Sequence, residues 1–289
     1  MKFKNNFIYL FFIYFFIMIF NCSCTIFEPA SPLASYIHID SISVQTDYPT
    51  QGSNSNKITD VWVLYDNKYL GTFPLPADIP LIGEGSHNLI LKAGIIENGI
   101  SGSRAAYPKY TSFNTTLNLS STEKTFLSPA VTYGSGNIFA QIEDFDDASL
   151  SLVTTSGDYA PLVILPQADS NSFENNSGRV TLDESHTVFE VASATAFTLP
   201  LSTPTYLELN YKGDEDFTIG VYIASSTGIT KSNLLTVRAS SVWKKIYVGL
   251  SDLGGVVSDG LNYKIYLHSE KNPLSTTTNL YFDNLKVVF

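Results

Sequence analysis

"TYLELNYKGDEDFTIGVYI", residues 205–223, alternates apolar and polar side chains on both sides of "KGDED". That is the pattern of strands that bury one face and wet the other. The same alternation recurs along the chain, broken by Gly, Asn, Asp and Pro, and no helical period runs past about two turns. Charged residues make up only 15% of the 289, while Ser, Thr, Asn, Tyr and Phe abound, as exposed β-sheet surfaces require. The expected fold class is all-β. The length suits two domains of ordinary size. The net charge is −10. An acidic body argues against nucleic acid, which wants a basic patch, and against electrostatic docking on anionic lipid.

The N-terminus reads as a targeting signal. Lys2 and Lys4 precede "FIYLFFIYFFIMIF", residues 7–20, a run of 14 uncharged residues. A helix crossing the bilayer core needs about 20. A short greasy run with a basic start and small residues after it is the layout of a secretory signal; an uncleaved signal anchor is the competing layout. Cys22 and Cys24 follow and are the only cysteines. Two residues apart, they lack the Cα separation that suits a disulfide. Two thiols with no nearby His do not fill a tetrahedral zinc site. The stretch "IMIFNCSC" resembles a bacterial lipobox, with Ser23 ahead of Cys24, or Ile19 three places before the alternative, Cys22. The resemblance implies a signal peptide over 1–23, acylation of Cys24 (alternative Cys22), and anchoring in the cell envelope at the outer membrane, on its surface or periplasmic face. Two or more acyl chains hold a protein on a membrane stably. Residues 24–35 then form a tether, kept extended by Pro29 and Pro32.

The first half, 36–132, offers strands at "YIHIDSISV" (36–44), "GEGSHNLILKAG" (83–94) and "TSFNTTLNLS" (111–120). "DVWVLYDNKYLGTF" (60–73) reads as a hairpin turning at Asp66-Asn67. These stretches resemble PEGA-type and related small Ig-like β-sandwich modules of surface proteins. "IIENGISGSRAAYPKY" (95–110), with Arg104, Tyr107, Lys109 and Tyr110, is long for a hairpin loop. "YGSGN" (133–137) reads as a linker.

The second half, 138–289, carries "IFAQIEDFDD", "FENNSGRVTL", the opening stretch, "SVWKKIYVGLSDL" and a last strand with Asp283-Asn284. In that order these resemble the jelly-roll, galactose-binding-like modules that include many carbohydrate-binding modules. The resemblance implies two facing sheets and a non-enzymatic binding role. It places Ile246, Val248 and Leu250 inside, Lys245 and Tyr247 outside, and Trp243 in the core. It also implies a structural Ca²⁺ held by Glu143, Asp144 and Asp283, with Asn176 adding an amide oxygen. Exposed tyrosine rings suit sugar stacking. The candidates are Tyr206, Tyr211, Tyr222, Tyr247, Tyr263 and Tyr266. Four scattered histidines offer no zinc spacing, and no nucleophile, metalloprotease or phosphate-loop motif occurs. The expected protein is a surface lipoprotein binding an extracellular ligand, a glycan first. A structural lipoprotein that binds another envelope protein is the alternative, and a carboxylate-based hydrolase or its accessory the third reading.

Overall fold

The computed structural model describes residues 9–16, 33–200, 203–250 and 261–289. Both cysteines and most of the expected tether lie outside the described residues. Residues 9–16 are helical, and among the described residues no helix is long and apolar enough to cross a membrane. Apart from a one-turn helix, Tyr48–Gln51, the regular elements that follow are all strands, and they build two β-sandwiches.

In the first sandwich, β1 (Ser35–Ile39) and β2 (Ser43–Gln45) replace the single strand expected over 36–44. The break lets one stretch serve two pairings. β1 lies between β5 (Ala77–Leu81), antiparallel, and β9 (Lys124–Leu127), parallel, while β2 runs parallel to β10 (Ala130–Thr132). The facing sheet has β3 (Asp60–Tyr65), β4 (Lys68–Pro74), β6 (Gly85–Ile96), β7 (Arg104–Ala106) and β8 (Phe113–Leu119). Its spine is β6, twelve residues long, which pairs β8 along its first part and β7 at its end. The hairpin at 60–73 closes through Asp66 (φ 46°) and Asn67 (φ 62°). Both sit in the left-handed region that a two-residue turn of this kind demands and that Asp and Asn tolerate. Alternation then sends Ile37, Ile39, Val61, Val63, Leu89 and Leu91 into one core.

The second sandwich sets β13 (Val163–Leu165), β14 (Ser177–Leu182), β21 (Thr278–Val288), β16 (Tyr206–Gly213) and β19 (Ser240–Gly249) side by side, with β11 (Phe139–Glu143) also on β21. Facing them are β12 (Leu152–Thr154), β15 (Val188–Ser193), β20 (Asn262–Glu270), β17 (Phe217–Ser225) and β18 (Gly228–Val237). The stretch 205–223 thus supplies one strand to each sheet, crossing between them at "DED". Leu207 and Leu209 meet Ile219 and Val221 across the gap. Phe282 stacks on Phe189 at 5.7 Å and receives the edge of Phe217 at 5.2 Å, locking the layers with aromatic contacts.

The sandwiches share a buried junction. Tyr206, Tyr247 and Val288 of the second pack into the core of the first. Residues 133–137 are tied down: Gly134 N–H and Asn137 Nδ2 both donate to the Lys109 carbonyl, at 3.0 and 2.7 Å. The loop at 95–110 also docks here. Asn98 N–H donates to the Tyr247 carbonyl at 2.8 Å, and Asn98 Oδ1 accepts from Gly249 N–H at 3.0 Å. Lys245 and Tyr247 do leave the core of their own sandwich, as expected, yet they are not on the surface. The first sandwich covers them, leaving Tyr247 1% exposed. Trp243, expected in the core, is instead half-buried on the outer face of β19, its Nε1–H donating to the Asn171 carbonyl at 3.0 Å.

Candidate functional site

The sheet of the second sandwich that faces away from the first presents an aromatic and polar patch. Phe189, Val191, Ile219, Val221, Ile265 and Leu267 point into the core, so their neighbours point out. Strand register lines these up in rows. Glu190, His268, Thr218 and Thr236 form one; Ala192, Tyr266, Gly220 and Asn233 the next; Lys264, Tyr222 and Lys231 the third. Gly220 is needed where it stands. A Cβ there would overlap the Tyr266 ring, which lies across the bare backbone. Tyr266 is further covered by the Tyr222 ring at 5.2 Å and by Lys231 Nζ, 4.7 Å from its centroid. Its hydroxyl donates to Asn233 Oδ1.

Glu190 is the hub of this patch and is 3% exposed. Its carboxylate accepts from Lys231 Nζ, from the Tyr222 hydroxyl and from Thr155 Oγ1 at 2.9 Å. His268 Nδ1 stands 3.1 Å from Oε2 without an aligned hydrogen bond, and Nε2 is 3.5 Å from Glu270. Burial alone would raise the Glu190 carboxyl, but the bonds from Lys231, Tyr222 and Thr155 outweigh it and hold the group below its ordinary range. Burial, then Glu190's charge, pushes the Tyr266 hydroxyl up to about 12; burial and the bond to Glu190 raise Tyr222 further. At neutral pH, therefore, Glu190 is a fixed anion and both tyrosines are neutral. Tyr266 is fully buried beneath its neighbours, so the set orients hydrogen bonds and offers the partly open ring of Tyr222; it is not poised to give up a proton.

Only two of the candidate tyrosines meet on this face. Tyr206 and Tyr247 are roofed by the first sandwich, and the Tyr206 hydroxyl donates to Glu97 Oε1. Tyr211 and Tyr263 point inward into the second core, Tyr211 packing edge-on against Phe217 at 5.3 Å. The junction also holds a buried ionic cluster. Glu208 Oε1 accepts from the hydroxyls of Tyr107 and Tyr133, each at 2.7 Å, and Oε2 lies 2.8 Å from Lys245 Nζ. Lys286 donates to the Ser53 carbonyl and sits over the Tyr133 ring, 5.2 Å from its centroid.

Each of the expected calcium ligands accepts a hydrogen bond from the protein. Glu143 accepts from the amides of Phe145, at 3.0 Å, and Ser151. Asp144 takes the Tyr48 hydroxyl at 2.8 Å, Asn176 Oδ1 the Gln167 amide at 3.0 Å, and Asp283 the Ser177 hydroxyl at 2.8 Å. Among the described residues no group of three or more His, Cys, Asp or Glu is arranged to hold a metal ion. Sequence reasoning missed Glu190, Lys231 and Asn233. The one signal for them was Gly220, a glycine in mid-strand, which marks a close approach.

No family model and no curated protein matches the chain. Among solved structures it is similar to a family 11 carbohydrate-binding module from Clostridium thermocellum in complex with a β-1,3-1,4-mixed-linked tetrasaccharide. There the identity is 14%, the match covers 51% of this chain and 94% of that one, and the TM-score is 0.37. It is similar to the CBM22-1–GH10 modules of xylanase 10B from the same organism complexed with xylohexaose, at 12% identity over 52% of this chain and 28% of that one, TM-score 0.40. A mutant family 29 carbohydrate-binding module complexed with mannohexaose matches at 10% identity over 53% and 92%, TM-score 0.35.

Proposed function

We propose that this chain is a non-catalytic lipoprotein of the bacterial cell envelope whose second sandwich binds a glycan on its open sheet. The observation that carries the reading is the row structure around Glu190. A buried anion holds Tyr222 and Lys231 by hydrogen bonds, with His268 beside it, while Tyr222 and Lys231 stay partly open. Rings beside fixed donors and acceptors suit a polyhydroxylated ring, which wants stacking on one face and hydrogen bonds at its rim. The first sandwich then acts as a rigid spacer, because the junction is buried rather than hinged.

Binding is tested by titrating the full chain, in detergent, with neutral xylo-, manno- and gluco-oligosaccharides. Lys231→Ala and Tyr222→Ala are each expected to weaken binding about tenfold, as the loss of a charged hydrogen bond or a stacking face implies. Silence across the panel together with a co-purifying envelope protein would favour the assembly role instead.

The anchor in this reading is Cys24. Cys24→Ser is expected to abolish incorporation of labelled palmitate and leave the precursor unprocessed. If only Cys22→Ser does so, the anchor lies two residues earlier.

A further inference from the structure

On the other sheet of the second sandwich, where the two sandwiches meet beside the edge strand β19, there is a cleft of about 570 Å³. That lies within the roughly 300–1,000 Å³ typical of ligand sites. Its character differs from that of the rest of the molecule. Three lysines line it, Lys57, Lys244 and Lys245, and its described lining includes no carboxylate, in a chain whose net charge is −10. Lys245 is offset by Glu208, but Lys57 and Lys244 are exposed and have no carboxylate partner among the described residues. Trp243 and Phe173 form one wall, their ring centroids 5.2 Å apart, and the indole is fixed by its bond to the Asn171 carbonyl. Asn210 Oδ1 accepts from Ser55 Oγ at 3.1 Å, one residue from each sandwich, and both line the cleft.

We propose that this cleft is a second ligand site that takes an acidic sugar, a hexuronate unit of a glycan. The choice of a sugar rests on the glycan reading above; the choice of an acidic one rests on the lysines. The ring stacks on the Trp243–Phe173 wall, the hydroxyls reach Asn210 and Ser55, and the carboxylate lies between Lys57 and Lys244. Unneutralised cations at a partly dry wall focus the field on an anion that the acidic remainder repels.

The probes are tri-galacturonate and its uncharged counterpart, galactotriose, titrated calorimetrically into the full chain in detergent. Tri-galacturonate is expected to bind at least about tenfold tighter. Lys57→Gln and Lys244→Gln should each weaken it about fivefold, and about 1 M salt should weaken it further. Trp243→Ala should remove it. The two lysines are exposed, so their variants still decide the matter if the tryptophan variant does not fold. Lys231→Ala on the open sheet should leave tri-galacturonate binding unchanged. Equal binding of the two probes, no binding at millimolar concentration, indifference to both lysine variants, or loss in Lys231→Ala would each overturn the proposal. Neutral oligosaccharides bound on the open sheet with no uronate in the cleft would sink this inference alone. Uronate in the cleft with a silent neutral panel would sink the open-sheet reading alone.

Discussion

Glu208→Ala is expected to lower the free energy of unfolding by about 3–5 kcal/mol, the loss typical of removing one partner from a buried ion pair. Glu208 is fully buried, and so are Lys245 and Lys286 beside it. Without the carboxylate, two buried ammonium groups lose their main counter-charge, leaving Lys286 only the fields of Glu174 and Asp144, and the hydroxyls of Tyr107 and Tyr133 lose their acceptor. The cluster is already finely balanced. Burial favours a protonated Glu208, and only Lys245 and Lys286, with the tyrosine bonds, hold it below its ordinary range. Burial first, and then the charge of Lys245, drives Lys286 down to about 7, with Glu208 pulling the other way. The sign follows. A lysine whose folded pKa lies below the unfolded 10.5 binds fewer protons when folded, so its effect on stability becomes more favourable as pH rises from about 7 to 10.5. The deficit in the alanine variant should therefore be largest near pH 6 and shrink toward pH 10, read by urea denaturation at both. A loss below about 1 kcal/mol, or one independent of pH, would mean that water reaches the junction and the cluster is not a dry one.

The junction is also where legibility ended. Alternation in "YLELNYK" and "WKKIYVGL" separates the two faces of each strand correctly, and Leu207, Leu209, Ile246 and Val248 are in the core as that period implies. A period of two reports only which side of its own sheet a residue occupies. Whether that outer side meets water or another sandwich depends on docking between segments a hundred residues apart. So Lys245 and Tyr247 read as surface residues, and the side chains of both are buried. The hairpin at 60–73 was legible because Asp66-Asn67 is a local signal with a local cause. The patch around Glu190 was not, because its members come from four different strands and meet only through register. The acidic residues at 143–147 and 283 did read as a cluster, and they accept hydrogen bonds from the protein, Asp144 and Asp146 sharing the Tyr48 hydroxyl.

Asp283→Asn is expected to do the reverse of the Glu208 change and stabilise the protein at alkaline pH. Asp283 is 2% exposed on β21, where the register with β16 slips and Asn284 adopts a φ of 49°. Its carboxyl is pushed up to about 8, by burial first, with Glu174 and Asp146 adding to the shift against the bonds from Ser177 and Asn284. A folded pKa above the unfolded 3.8 means that folding takes up a proton between those values. Stability from this group is then whole below about pH 4 and is lost as pH rises toward 8. At about 1.4 kcal/mol per unit, the loss is on the order of 5 kcal/mol as an upper bound. An amide of the same shape does not ionise, so it escapes this loss. It also fits the bonding: its oxygen accepts from the Asn284 amide, and its NH₂ donates to Ser177 Oγ, whose hydroxyl then turns to the Phe173 carbonyl, 3.4 Å away. The variant should match the parent near pH 4 and exceed it by several kcal/mol at pH 9 in chemical denaturation. An equal difference at every pH would show that Asp283 is ionised throughout. Repeating the series with calcium chloride reads the metal expectation directly: an ion bound through Asp283 would stabilise the parent at neutral pH and not the variant.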